Sequence, residues 1–128
     1  MNNLLDVNKF YASGKDAKRR KAKWKRQRIH RGFCDRDWWD LDMFFCKLFS
    51  AALRHYAKNT IGFSPAIAST MEEYQARIIA LADRFETMLN WEIIHNNRTD
   101  YAAVHEELYD YTKVTFAELA EVFWSLWD

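Results

Sequence analysis

The residues of this chain best suited to chemistry are cations and indoles. Between Lys15 and Arg31, ten of seventeen positions are Lys or Arg, and Asp16 is the only acid. A guanidinium takes phosphate oxygens in pairs and an interleaved ring stacks on a base, so Arg19, Arg20, Lys23, Trp24 and Arg26 form a candidate surface for nucleic acid. Arg28, Arg31 and Arg36 lie closer to the indoles that follow and could wall a closed pocket for a phosphate-bearing nucleotide. The plain alternative is that these cations meet acids of the same chain or of a second copy. The run Arg31-Gly32-Phe33-Cys34-Asp35-Arg36-Asp37-Trp38-Trp39-Asp40-Leu41-Asp42 then places an Arg-Gly turn, two indoles and four carboxylates at one helix start. Its structural reading has Asp35 as the cap, Asp37 or Asp42 paired with Arg31 or Arg36, and Trp39 buried as a wedge. Both readings can hold together.

Metal and catalytic signals are weak. Cys34 and Cys46 are separated by eleven residues, with His30 and His55 outside them, which is no zinc-ligand spacing. Glu92-Ile-Ile-His95 is a single Glu-x-x-His, whereas a di-iron bundle needs two, with two further glutamates. Gly-rich phosphate loops and nucleophile elbows are missing from the sequence. The expectation is a non-enzymatic protein with no metal and no cofactor. His55 and His105, beside apolar stripes, are expected to be partly buried.

The Arg31–Asp42 run resembles a family of small proteins encoded by bacteriophages and prophages. Its pattern is Arg-Gly-aromatic-x-Asp-x-Asp-x-Trp-x-Leu-Asp, matched here by Arg31, Gly32, Phe33, Asp35, Asp37, Trp39, Leu41 and Asp42. The likeness continues more weakly through Gly62-Phe63-Ser64-Pro65 and the 72–86 segment. It departs at Cys34, where the family has serine, and at Tyr74, where it has tryptophan. The resemblance implies a phage origin and the cytoplasm of an infected bacterium, and it supplies no mechanism.

Several elements must position these groups. The 128 residues suffice for one domain, and 49% are hydrophobic and 16% aromatic, enough for a packed core. With 3 Gly and 1 Pro there is little turn chemistry, which favours long helices over a many-stranded sheet. Two cysteines make no disulfide framework, and no apolar run reaches membrane-spanning length, nor does the start resemble a signal peptide. The net charge of +1 hides a division: residues 1–36 hold twelve Lys/Arg against three Asp, while residues 37–128 hold seven against fifteen acids. The predicted fold is all-α, a single helical domain over 1–128 in which a basic N-terminal segment (1–34) precedes a helical core (35–128).

Within that frame the spacing predicts a short helix over 3–12, a basic helix over 15–31 with Ala17, Trp24 and Ile29 inward, and three long helices at about 35–58, 70–95 and 100–127. Trp38, Leu41, Phe45, Leu48, Ala52 and His55 or Tyr56 mark the inward stripe of the first long helix, with Phe44, Phe49 and Leu53 widening it. Tyr74, Ile78, Leu81 and Phe85 mark the second; Tyr101, Val104, Leu108, Tyr111, Thr115, Leu119 and Val122 mark the third. Ser69 and Thr70, each three residues before a glutamate, offer two capping boxes for the second.

Leu41, Phe45, Leu48, Ile78, Leu81, Phe85, Leu108, Leu119 and Val122 already fill those stripes. Trp38 and Phe44 at the margins of the first, with Phe63, Phe116, Trp124 and Trp127, remain to be covered, which predicts a homo-oligomer joined through the C-terminal helix. The functional expectation is stoichiometric binding that antagonises a host defence factor by holding a phosphate-bearing nucleotide. It draws on analogy with small phage proteins that sequester nucleotide signals. The alternatives are a nucleic-acid-binding module using Lys15–Arg31 and a helical adaptor for a host protein. A membrane partner is not expected, since Trp24 and Ile29 make too narrow an apolar face.

Overall fold

The computed structural model describes residues 15–127; the helix expected over 3–12 lies outside them. Among the described residues the chain is all-α: α1 (Lys15–Arg31), α2 (Asp35–Trp39), α3 (Leu41–Asn59), α4 (Met71–Leu89), α5 (Trp91–Ile94) and α6 (Tyr101–Val122), followed by a 3₁₀ turn at Phe123–Ser125. It divides into two compact units, residues 1–48 and 49–128. The charge boundary at 34–35 falls inside the first.

In the first unit, α1 has the bounds that its Lys, Arg, Ala and Gln content predicts. It ends at Gly32, whose φ of +84° is left-handed and whose amide donates to the Arg28 carbonyl at 2.9 Å. A Cβ there would meet no atom within 4 Å, so glycine is required by backbone angle rather than by space. Ala17 and Trp24 are buried as expected, Trp24 at 3% exposure, whereas Ile29 is 72% exposed. Ile29 lies a third of a turn from the Ala17–Trp24 line, and the inward place it was expected to fill is taken by Arg28.

The single helix expected over 35–58 is broken. Asp40 leaves helical geometry (φ −127°, ψ 65°), closing α2, and its carbonyl accepts the Phe44 amide to open α3. An aspartate tolerates this double role because it is a poor helix interior and a good helix flank. The break also shifts the phase of α3: Trp38, Leu41, Phe45 and Ala52 are exposed and Leu48 is half-buried, while the buried positions are Phe44 and Leu53, expected only to widen the stripe, with Cys46, Ser50 and Ala57. The expected stripe was counted from Trp38 through a turn that is not helical.

In the second unit, the latter half of α3 packs with α4 and α6 as a helical bundle. Tyr74, Ile78, Leu81, Ala82 and Phe85 are buried to 1% exposure or less, as the α4 spacing predicts. Phe85 meets Phe49 of α3 and Phe116 of α6 with ring centroids 5.1 and 5.5 Å apart. On α6, Thr115 and Val122 are fully buried, but Tyr101 at the start of the expected stripe is exposed.

Of the two possible capping boxes the chain uses the second. The Glu73 amide donates to Thr70 Oγ1 at 3.2 Å, and the Glu73 carboxylate accepts the Ser69 amide at 3.0 Å. The helix expected over 70–95 breaks at Asn90, whose amide and side-chain Nδ2 both donate to the Glu86 carbonyl at 3.1 Å. Asn90 satisfies the orphan carbonyl of α4 and so ends it. His55 and His105, expected to be partly buried, are exposed. Among the described residues no helix is long and apolar enough to cross a membrane.

Candidate functional site

In the first unit a turn of three residues brings α2 back along α1, and the two helices are joined by charge. Arg28 donates from Nε to Asp37 Oδ2 at 3.1 Å and from Nη2 to Oδ1 at 2.6 Å, a bidentate pair. The same Asp37 accepts the Cys34 amide at 2.8 Å, so it caps α2 from inside while clamping α1. Its side chain is 5% exposed and that of Arg28 17%. Burial works against both charges. The mutual hydrogen bonds and attraction prevail, holding the Asp37 carboxyl below the usual carboxylate range and the Arg28 guanidinium above its ordinary value. Burial also pushes the Cys34 thiol up.

A second clamp lies beside the first. Gln27 donates from Nε2 to Asp35 Oδ2 at 2.9 Å and accepts the Asp35 amide on its own oxygen at 2.8 Å. Arg31 adds a 2.6 Å bond to Asp35 Oδ1, and Lys23 reaches Asp35 at 3.5 Å. The Gln27 amide first, then Arg31, lower the Asp35 pKa to about 2. Arg36 pairs with Asp40 at 3.1 Å.

Three expectations for this turn are corrected. The N-cap residue of α2 is Cys34, with the carboxylate supplied by Asp37, because Asp35 is drawn to Gln27 and Arg31. Asp37 pairs with Arg28, on the buried side of α1, rather than with Arg31 or Arg36; Asp42 accepts the amide of its neighbour Met43. Trp39 is 49% exposed, not buried. It stands edge-on to Trp24 at 6.0 Å, with the Arg36 guanidinium 5.4 Å from its ring. Arg31 likewise lies 4.5 Å over Phe33, which is also partly exposed.

Apart from Lys21, which is half-buried, the described cations of α1 and α2 sort mainly into two groups. Arg28, Arg31, Arg36 and Lys23 hold acids, and Trp24 is buried and cannot stack on a ligand base. Arg20 is exposed and engaged in a contact of its own. Lys18, Arg19, Lys25 and Arg26 are exposed and have no ion-pair partner among the described residues. They form two pairs spaced i,i+7, Arg19 and Arg26 opposite Ala17, Trp24 and Arg28 and Lys18 and Lys25 about a quarter turn from that line, with Ala22 and Ile29 between the pairs. Lys18 and Lys25 were missed as candidates; the seven-residue repeat was their signal.

Gly32, Phe33 and Leu41 take structural or surface places in the same turn, and among the described residues no three His, Cys, Asp or Glu come together to hold a metal. In the second unit Phe63, Phe116, Trp124 and Trp127 are exposed, Trp124 at 85%. Trp124 and Trp127 help line an apolar cleft of about 480 Å³ with Ile61, Phe63 and Pro65. Its carboxylate, Glu121, already accepts from Arg77 at 2.6 Å. The chain matches no protein-family model, no curated protein and no solved structure.

Proposed function

We propose that the first unit is a non-catalytic module that binds nucleic acid through the outer face of α1. The observation that carries this reading is the sorting of the cations. Aspartates pair with Lys23, Arg28 and Arg31 on one side of the helix, while Lys18, Arg19, Lys25 and Arg26 line its outer side with no ion-pair partner among the described residues. Four cations without an ion-pair partner among the described residues, on about 12 Å of helix, suit a phosphate backbone, whose repeated charges release counterions when neutralised. Holding a single nucleotide through Arg28 and Arg31 is the weaker proposal, since a phosphate would have to displace Asp37 and Asp35.

The test is a salt titration of binding to a labelled oligonucleotide. For the wild type, log K falls linearly with log salt. Replacing Lys18, Arg19, Lys25 and Arg26 by glutamine weakens binding and reduces that slope by about 0.7 to 0.9 for each contact removed. Helix content stays unchanged by circular dichroism, because these side chains are exposed and make no ion pair among the described residues. Unchanged binding and slope in the fourfold variant would overturn the reading.

A further inference from the structure

Resting on that reading, we infer that the strand this module takes is single-stranded, its phosphates following α1 and an unstacked base lying on the Trp38 indole. Three features of the first unit converge on it. Within seven residues, Phe33, Trp38 and Trp39 all keep exposed ring surface, Trp38 the most at 56%. Two of those rings are fixed by a guanidinium, Arg31 on Phe33 and Arg36 on Trp39, and Trp39 is further held by Trp24. Trp38 is thus the ring of the turn with the most surface left for a ligand.

The second feature is place. Lys23 borders the outer face of α1 beside Arg19 and Arg26, at helical neighbour spacing, and reaches Asp35 on α2. The first residue of the short helix therefore lies at the edge of the cation track, and Trp38 follows it within one helical turn, while Asp37 and Trp39 hold the same helix to the inner side of α1. The third is what the outer face lacks. A helix that reads duplex DNA presents amide, hydroxyl or guanidinium groups to base edges in the major groove, and of these the outer face of α1 carries only the guanidiniums of Arg19 and Arg26. The only side-chain amide of α1, Gln27, is closed at both ends by Asp35, and no Ser or Thr occurs on the helix. In a duplex the base faces are hidden in the stack, whereas a single strand offers them to aromatic rings without regard to sequence.

The experiment compares the whole protein on an oligo-dT strand of about 15 nucleotides, within the usual span of single-strand sites, and on a duplex of the same length. Wild type binds the single strand at least tenfold more tightly and its tryptophan fluorescence is quenched on binding. Trp38→Ala lowers single-strand affinity roughly 5- to 150-fold, the span found for loss of one stacked base, and leaves duplex binding as it was. Trp38→Phe keeps most of the preference, since a ring face remains. Equal binding of both forms, untouched by Trp38→Ala but lost in the fourfold α1 variant, would overturn the single-strand inference and leave the α1 reading standing. Binding of neither form would overturn both.

Discussion

The two units are of similar helical make-up and opposite construction. Residues 1–48 hold thirteen Lys and Arg against six Asp, and the described part is joined by buried and half-buried ion pairs between α1 and α2. Residues 49–128 hold six Lys and Arg against twelve acids, and their centre is a set of fully buried rings and aliphatic groups from α4 and α6. A helix whose composition is mostly charge cannot bury a broad apolar stripe, so α1 contributes only Ala17 and Trp24 to the interior and takes its order from carboxylates instead. The lesson is that the same feature serves two ends. The aspartates that order α1 pair with Lys23, Arg28 and Arg31, while Lys18, Arg19, Lys25 and Arg26 have no ion-pair partner among the described residues, and it is on this difference that the proposed binding of a polyanion rests.

The sharpest way to break the contrast is to remove one anchor from each unit. Phe85→Ala empties the junction of Phe49, Phe85 and Phe116 and should destabilise the second unit by about 4 kcal/mol, as cavities at buried aromatics do. Denaturant unfolding followed by circular dichroism reads the shift. A loss below about 1 kcal/mol would mean that this core is not the packed structure described.

Asp37→Ala should cost somewhat less, about 3 kcal/mol, because it strands the Arg28 guanidinium and the Cys34 amide together in a place with little water. Here the location of the damage matters more than its size. Hydrogen exchange of α1 and α2 amides should speed up while that of α4 stays slow. Protection of α1 that survives Asp37→Ala would show that the helix is ordered by something other than its aspartate clamp.

How much of this was legible depended on whether a signal was local. The bounds of α1, the Thr70–Glu73 cap, and the inward faces of α4 and of most of α6 follow from spacing along one helix, and they stand in the structure as read. The helix breaks at Asp40 and Asn90 were not visible, because both residues sit inside apolar periodicity that runs straight past them. Once Asp40 broke the phase, the inward side counted from Trp38 moved to its margin: Leu41, Phe45 and Ala52 face out, and Phe44 and Leu53 are buried. The Arg28–Asp37 pair was also out of reach. It spans nine residues across the left-handed Gly32, and only the direction in which that turn sends α2 selects Arg28 over Arg31. For the candidate site, composition named the basic helix correctly as a unit. It could not say which of its cations the fold would neutralise.

The smallest predicted effect is an acid one, and it separates the units by the kind of contact each relies on. A carboxyl whose pKa is depressed by folding stabilises the fold at pH values above its unfolded pKa, near 4, and that stabilisation is lost as the pH falls through the folded value. Asp35 is held at about 2 and Asp37 is also lowered, so the α1–α2 clamp should be intact at neutral pH and loosen between about pH 4 and 2. The second unit has depressed carboxyls too, Asp100 and Glu107 on Arg98, but these tie down the start of α6 while its centre is apolar. Amide exchange or NMR shifts followed through that range should show α1 losing order before α4. Gln27→Ala sharpens the comparison: its amide is the largest influence on Asp35, so without it the Asp35 pKa rises back toward the ordinary value and α1 loosens at higher pH. Loss of α4 order before α1, or an α1 transition that Gln27→Ala leaves in place, would break the division between a unit held by charge and a unit held by packing.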